Sequence, residues 1–493
     1  RSVAIGRAAL QVQNPASATN MYNTAVGFAA GEAITTGVEN TLVGGLAGDA
    51  LTDADYNVAV GVQALGSDTL GSRSTALGYW SLKTQNFTSA TDAYNTAVGF
   101  AAGQVITTGV QNTYVGGLAG DATTTGSNNT ALGYTALTTN TTASDNTAVG
   151  AGSLDATTTG AYNSAVGSEA LGANTTGASN TAVGVSALAA NTTGSNHTAV
   201  GRDALLVSTA GGYDTAIGDS VLKANTSGNY NTGVGASALA ANTTASDNTA
   251  VGYASLAANT TGTKNTVVGK DAGLAITTGD QNTALGTRSL QATTTADHNT
   301  AIGEAALYAN TSGHSGVAVG SQALAANTTG VENVAVGFTS LDANTTGSYN
   351  TAVGTDSMSA NTTGQENVSV GWNSLDANTT GSYNVAIGAS ALGVNTTAAS
   401  NTAVGYGSLT ANTTGTTNVA VGSTAMAANT TADNNTGIGA ASMNGNTTGT
   451  RNTAVGSDSL KVNTTGNDNT AVGKGALTAN TTASNNTAVG KNA

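Results

Sequence analysis

The chain has 493 residues, of which 8% are charged and 4% aromatic, and it carries a net charge of −14 with no cluster of lysine or arginine. That balance removes the electrostatic basis for binding nucleic acid or an anionic bilayer. Cysteine is absent, so there is no disulfide framework or thiolate metal site, and the sequence contains neither a signal-peptide pattern nor an apolar run of about 18 residues.

From the N-terminus onward the sequence repeats. Counting from an anchoring residue, usually Asn, the third residue on is Val, Ile or Leu and the fourth is Gly; anchors fall at 2, 23, 40, 57, 74 and 95, then every 17 residues to 486, giving 29 copies. A period of this length marks a solenoid-type array, in which each unit packs only on its neighbours. Residue 1 precedes an anchor and residue 493 stops within a repeat, which reads as a segment of a longer protein.

Residues 1–145 form an irregular region with two 72-residue super-repeats: NTAVGFAAG stands at Asn23 and Asn95, and GGLAGDA at Gly44 and Gly116. Each block carries four extra residues, in the stretches 11–22 and 83–94, where turn-forming Asn and Ser and the only proline, Pro15, gather. These are expected to be longer loops projecting from one side. Residues 146–493 are regular, with His197, Asp214 and Gly316 standing at anchors.

Within one unit, Thr-Ala-Val before Gly reads as a short strand and Ala-Leu-x-Ala-Asn-Thr-Thr as a second, each followed by a turn. Recurrent Gly, Thr and Asn disfavour a helix. The Gly after the strand marks a corner with positive φ or close backbone approach. The inward column is taken as Val404 and its equivalents, together with the residue eight after the anchor. That residue is Leu in 20 of 28 copies and Met at Met358, Met426 and Met443. Its five exceptions are Gly31, Gly48, Gly103, Gly120 and Gly273; Ile34, Ile106 and Ile276 stand nearby as compensation for lost volume. So thin a core predicts that the small Ala face packs against another chain.

The motifs SVAIG at Ser2 and the many NVAVG and NTAVG copies resemble the head repeats of YadA-type trimeric autotransporter adhesins. The longer NTAVGxxALxANTTG form is similar to repeats of phage tail-fibre-like proteins. The repeat predicts an all-β parallel β-solenoid (β-roll) with 17-residue coils stacked like on like, and the resemblance implies that it is left-handed and assembled as a homotrimer. The adhesin repeat is usually shorter than the 17 residues found here, and this chain shows no anchor, stalk or chaperone domain.

Chemistry is sparse. His197, His298 and His314 do not cluster with carboxylates and read as solvated turn residues; no phosphate-binding loop, nucleophile or paired-carboxylate constellation occurs. The chain is expected to be a non-enzyme with no catalytic, cofactor-binding or metal residue. Tyr22, Tyr56, Tyr94, Tyr162, Tyr213, Tyr230, Tyr349 and Tyr383, each just before an anchor, pack over the turn below or stack on sugars, and Trp80 and Trp372 read as isolated. Asn-Thr-Thr or Asn-Thr-Ser recurs at one phase 17 times, as a stacked Asn ladder or as a set of glycan acceptors.

The function these features predict is a structural spacer in an extracellular fibre on a cell or virion surface. A host receptor or glycan would be met through loops 11–22 and 83–94, with no membrane contact by this segment. The alternatives are an ice-binding solenoid or a self-assembling matrix filament. Against the ice reading, adjacent Thr residues in a strand face opposite ways.

Overall fold

The computed structural model describes residues 1–15 and 20–493. The chain falls into two compact units, Arg1–Asp247 and Asn248–Ala493. Each is a parallel β-solenoid, and no helix occurs among the described residues.

In each coil only the first predicted strand forms, as three residues such as Thr402–Val404 or Val419–Val421. Successive strands pair in parallel with like on like: Thr402 with Val419, Ala403 with Ala420 and Val404 with Val421. The 21-residue coils keep this register, since Val3 pairs with Thr24 and Thr75 with Thr96. The predicted second strand is instead a series of tight turns. Its leucine has left-handed φ (Leu409 φ 49, Leu460 φ 47), and an L-residue held there breaks an extended run. The turns still bond coil to coil: Leu409 N–H donates to the Ala425 carbonyl (3.0 Å) and Thr413 N–H to that of Thr430 (2.9 Å).

The corner glycine does both things predicted for it. Gly405 has φ 127, and a Cβ there would stand 2.6 Å from the carbonyl of Gly422 in the next coil.

The inward column of the strand is the reverse of the sequence expectation. Ala403, Ala420 and Ala454 are fully buried, whereas Val404, Val421 and Val455 on the opposite strand face are only half-buried. The Ala face is therefore the interior of the coil, and it is the Thr/Val face that looks outward. Leu409 and its equivalents are buried as expected. What fills the rest of the interior is polar. The anchor Asn and the Asn eleven residues later are both buried, and each forms a ladder along its unit.

In one coil, Asn350 N–H donates to Asn333 Oδ1 (2.9 Å), while Asn350 Oδ1 accepts from Asn367 N–H (3.0 Å) and Asn367 Nδ2 (3.1 Å). Asn361 Nδ2 donates to Asn344 Oδ1 (2.9 Å), and the Gly364 carbonyl accepts from both Asn350 Nδ2 (2.8 Å) and Asn361 Nδ2 (3.0 Å). Buried amides hydrogen-bonded on every side are favourable where unpaired ones would be costly. Two such ladders leave room on the strand face for little more than a methyl group.

Exceptions in one interior column are offset in another. Leu42 replaces the small strand residue and fills the space left by Gly31 and Gly48; a Cβ on those glycines would lie 2.7 and 2.9 Å from its methyl groups. Tyr114 does the same between Gly103 and Gly120, and Val267 beside Gly273. Ile34, Ile106 and Ile276 are fully buried in these same coils, which bears out their compensating role. Volume is thus conserved along each unit while individual positions change.

Candidate functional site

The three histidines are separated. His298 and His314 are exposed turn residues, but His197 replaces an anchor Asn and is buried beside Asp214, which replaces the next one. His197 Nε2 lies 2.9 Å from the Gly211 carbonyl and donates to it. Nδ1 then accepts from the Asp214 N–H at 3.4 Å, which fixes a neutral ring. Burial pushes the His197 pKa down to about 4, offset in part by the Gly211 bond. Burial pushes the Asp214 carboxyl up to about 7, against the pull of Asn231 and Asn225. The pair therefore sits in the Asn ladder as a neutral imidazole beside a carboxyl whose ionisation burial disfavours, with the carboxyl oxygen 3.6 Å from Nδ1.

The sign of the resulting pH dependence differs for the two. A histidine with a depressed folded pKa gains stability as pH rises from about 4 to 6.5, because only the unfolded form holds its proton there. A carboxyl with a raised folded pKa loses stability as pH rises from 3.8 to about 7. The two slopes oppose over most of this window. The wild-type chain is expected to show local stability nearly flat between pH 4 and 6.5. His197→Asn should make it fall with pH, and Asp214→Asn should make it rise. Hydrogen exchange of residues 180–231 measured against pH checks this, and slopes of the same sign in both variants would contradict it.

Other polar features are structural or open. The hollow lined by Thr135, Gly152, Asp155, Ser168, Glu169 and Gly172 is open to solvent and carries two carboxylates and two hydroxyls, with no histidine or lysine among its lining residues. Burial raises the Asp155 pKa, and Glu169 adds to the rise. The recurrent Asn-Thr-Thr asparagines, such as Asn327, Asn344 and Asn361, are buried ladder members. A glycan cannot be carried on these amides while the coil is folded.

Strand alternation does not govern the two threonines that follow. Thr413 is half-buried and Thr414 exposed, in a stretch that bends instead of extending. The inner hydroxyl column is engaged, as where Thr362 Oγ1 donates to the Thr379 carbonyl (3.0 Å). The outer column of Thr346, Thr363 and Thr380 points to solvent.

The extra residues of the second super-repeat are mostly built into the coil. Gln85 is fully buried, donating to Asp68 (2.6 Å) and Ser74 (3.0 Å) and accepting from Asn95 Nδ2 (2.8 Å). Phe87 is also buried, and Thr91–Asp92 pairs with Gly71–Ser72. Only Thr88, Ser89 and Ala90 form an exposed tip, so the expected projecting loop is reduced to three residues. In the loop at 11–22, Met21 is buried, and residues 16–19 lie outside the described residues.

Surface aromatics cluster more than the sequence suggested. Arg73 lies between Tyr56 and Tyr94, 4.8 and 5.8 Å from their ring centroids, and pairs with Asp92 (2.9 Å). Tyr213 stacks on Tyr230 at 5.2 Å. Trp80, expected to be isolated, packs on Tyr79 (4.6 Å), lies beneath the Lys83 ammonium (4.3 Å) and donates to Gln63 Oε1 (2.7 Å). Tyr79 in turn stacks on Phe100 (5.8 Å, 3° between planes). Trp80 meets Gln63, and Tyr79 meets Phe100, because coils superimpose residues 17 or 21 apart, whereas Tyr79, Trp80 and Lys83 are near neighbours along one coil. Aligning the sequence by coil brings the column into view. No family model matches the chain, and no curated protein does.

Proposed function

We propose that this segment is a stiff spacer in an extracellular fibre on a cell or virion surface, built from three parallel chains that associate through their Thr/Val strand faces. The observation that carries the reading is the outward column of Val, Ile and Leu. It recurs in every coil and leaves Leu77, Leu132 and Leu285 between 44% and 48% exposed on a face lined by β-branched residues. A continuous apolar sheet face needs a cover, and a second copy in register offers one of matching period. The buried Asn ladders support stiffness, since bending a unit would stretch bonds in every rung. Left-handed winding belongs to this reading through the resemblance to adhesin heads.

Converting Val336, Val353 and Val370 to Asp is expected to shift light scattering at micromolar concentration from three chain masses to one, with the β circular dichroism retained. The side chains being changed look out of the coil. A wild-type chain that is a folded monomer at this concentration contradicts the assembly.

A second reading has one observation in its favour. The outer threonine column of Asn248–Ala493 is uncharged, and the objection from strand alternation falls away. Inhibition of ice recrystallisation by the purified chain, lost on converting Thr346, Thr363 and Thr380 to Lys, would support an ice-binding surface. No inhibition would remove it.

A further inference from the structure

The two super-repeats share a surface detail that neither the spacer reading nor core packing uses. The residue after the corner glycine is Phe28 in the first and Phe100 in the second, exposed at 53% and 54%. Each ring is backed on one side by the preceding coil: the Arg7 guanidinium lies 5.7 Å from the Phe28 centroid, and Tyr79 stacks on Phe100. On its other side the next coil carries glycine at this phase, Gly45 or Gly117. The coil beyond that carries Val62 or Tyr134, both well exposed.

Neither glycine is needed for the backbone. Gly45 and Gly117 are absent from the positive-φ residues, so no left-handed conformation demands them. A Cβ on Gly45 would meet nothing within 4 Å, and one on Gly117 would make ordinary contact with the Tyr134 ring at 3.6 Å. Other coils place Arg202, Lys270 or Trp372 at the same phase. What the glycine does is leave one face of the phenylalanine ring bare. The result is a slot two rungs wide, about 9.6 Å at roughly 4.8 Å per rung. It has an aromatic wall, a glycine floor and an apolar or aromatic lip.

We propose that these two slots are binding sites for neutral pyranose rings of a glycan, one ring stacking on the bare face of each phenylalanine. Stacking favours a flat, CH-rich ring against an aromatic face. Wall, floor and lip are uncharged in both slots, and the Arg7 guanidinium lies behind the Phe28 ring, on its backed side, so neither slot is built to select an acidic sugar. The net charge of −14 opposes a nucleic-acid base in the same place. The slots recur four coils apart, so one oligosaccharide or a dense glycan surface can engage both, and weak single contacts then combine. The proposal does not rest on the spacer reading or on trimer formation.

Because a side chain fits at both glycines, the slots can be filled without disturbing the coil. Saturation-transfer NMR with a panel of neutral oligosaccharides (malto-, cello- and chito-oligomers) is expected to show contact with at least one in the wild-type chain. Gly45→Leu with Gly117→Leu should weaken that binding about tenfold or more with the melting temperature unchanged, and Phe28→Ala with Phe100→Ala should do the same. Each single substitution should remove half of the binding sites. The proposal is overturned if no neutral sugar contacts the wild-type chain, if only sialylated or other acidic sugars do, or if the filled variant binds as well as wild type. Loss of chain association in the filled variant, with no sugar contact in the wild type, would show that the ridge is a surface for a second copy and would equally overturn it.

Discussion

Replacing Leu409 by Asp is expected to unfold the coils around it, at a cost of roughly 4 kcal/mol or more from an uncompensated buried charge. Its side chain is fully buried among Ala and Asn columns, which hold no cation to receive a carboxylate. The control must be chosen with care. Thr416 looks exposed by sequence phase, but its N–H and hydroxyl both donate to Asp433 Oδ1 (2.6 and 2.9 Å), so Thr416→Asp would oppose two carboxylates. Thr414, exposed in the same coil, is the neutral control.

The same experiment tests the inverted strand face. Ala403→Asp should be as damaging as Leu409→Asp, whereas Val404→Asp should leave the coil of a single chain folded. Hydrogen exchange along residues 384–435 reads the local effect directly, because a repeat array loses structure by region instead of all at once. Equal protection in the Ala403 and Val404 variants would show that the strand has no fixed inner face.

The second large effect is expected at the corner. Gly354→Ala places a methyl group 2.5 Å from the Gly371 carbonyl oxygen, at φ 134, a conformation open in practice only to glycine. Backbone cannot swing aside as a flexible side chain can, and the neighbouring corner is pinned by its own hydrogen bonds, such as Gly371 N–H to the Val353 carbonyl (2.8 Å). The cost should be about 3 kcal/mol or more. By contrast Gly45→Ala, at a glycine with room for a Cβ and no positive φ, should be neutral. Urea denaturation of the two variants separates these outcomes. A Gly354→Ala chain as stable as wild type would mean that the corner is not the constraint on coil closure.

The 17-residue period, read from the sequence alone, was enough to give the parallel β-solenoid, its like-on-like register and the corner glycine. Each follows from local rules: a fixed period stacks identical positions, and only one residue type suits the corner. The Gly-for-Leu exchanges were also legible, because volume must be conserved within a coil.

The inner face of the strand was not legible. A strand of three residues can alternate in either phase, and ranking by hydrophobicity turns Val404 inward and Ala403 outward. The tertiary structure decided the reverse, because two asparagine columns that would ordinarily be placed at the surface are buried and bonded coil to coil, and they leave space for a methyl group but not for an isopropyl group. The aromatic slots were hidden for a related reason: Phe28, Gly45 and Val62 become neighbours only when successive coils stack. Local chemistry fixed the period and its corners, whereas the allocation of inside and outside followed from satisfying buried amides, a condition that no single repeat meets on its own.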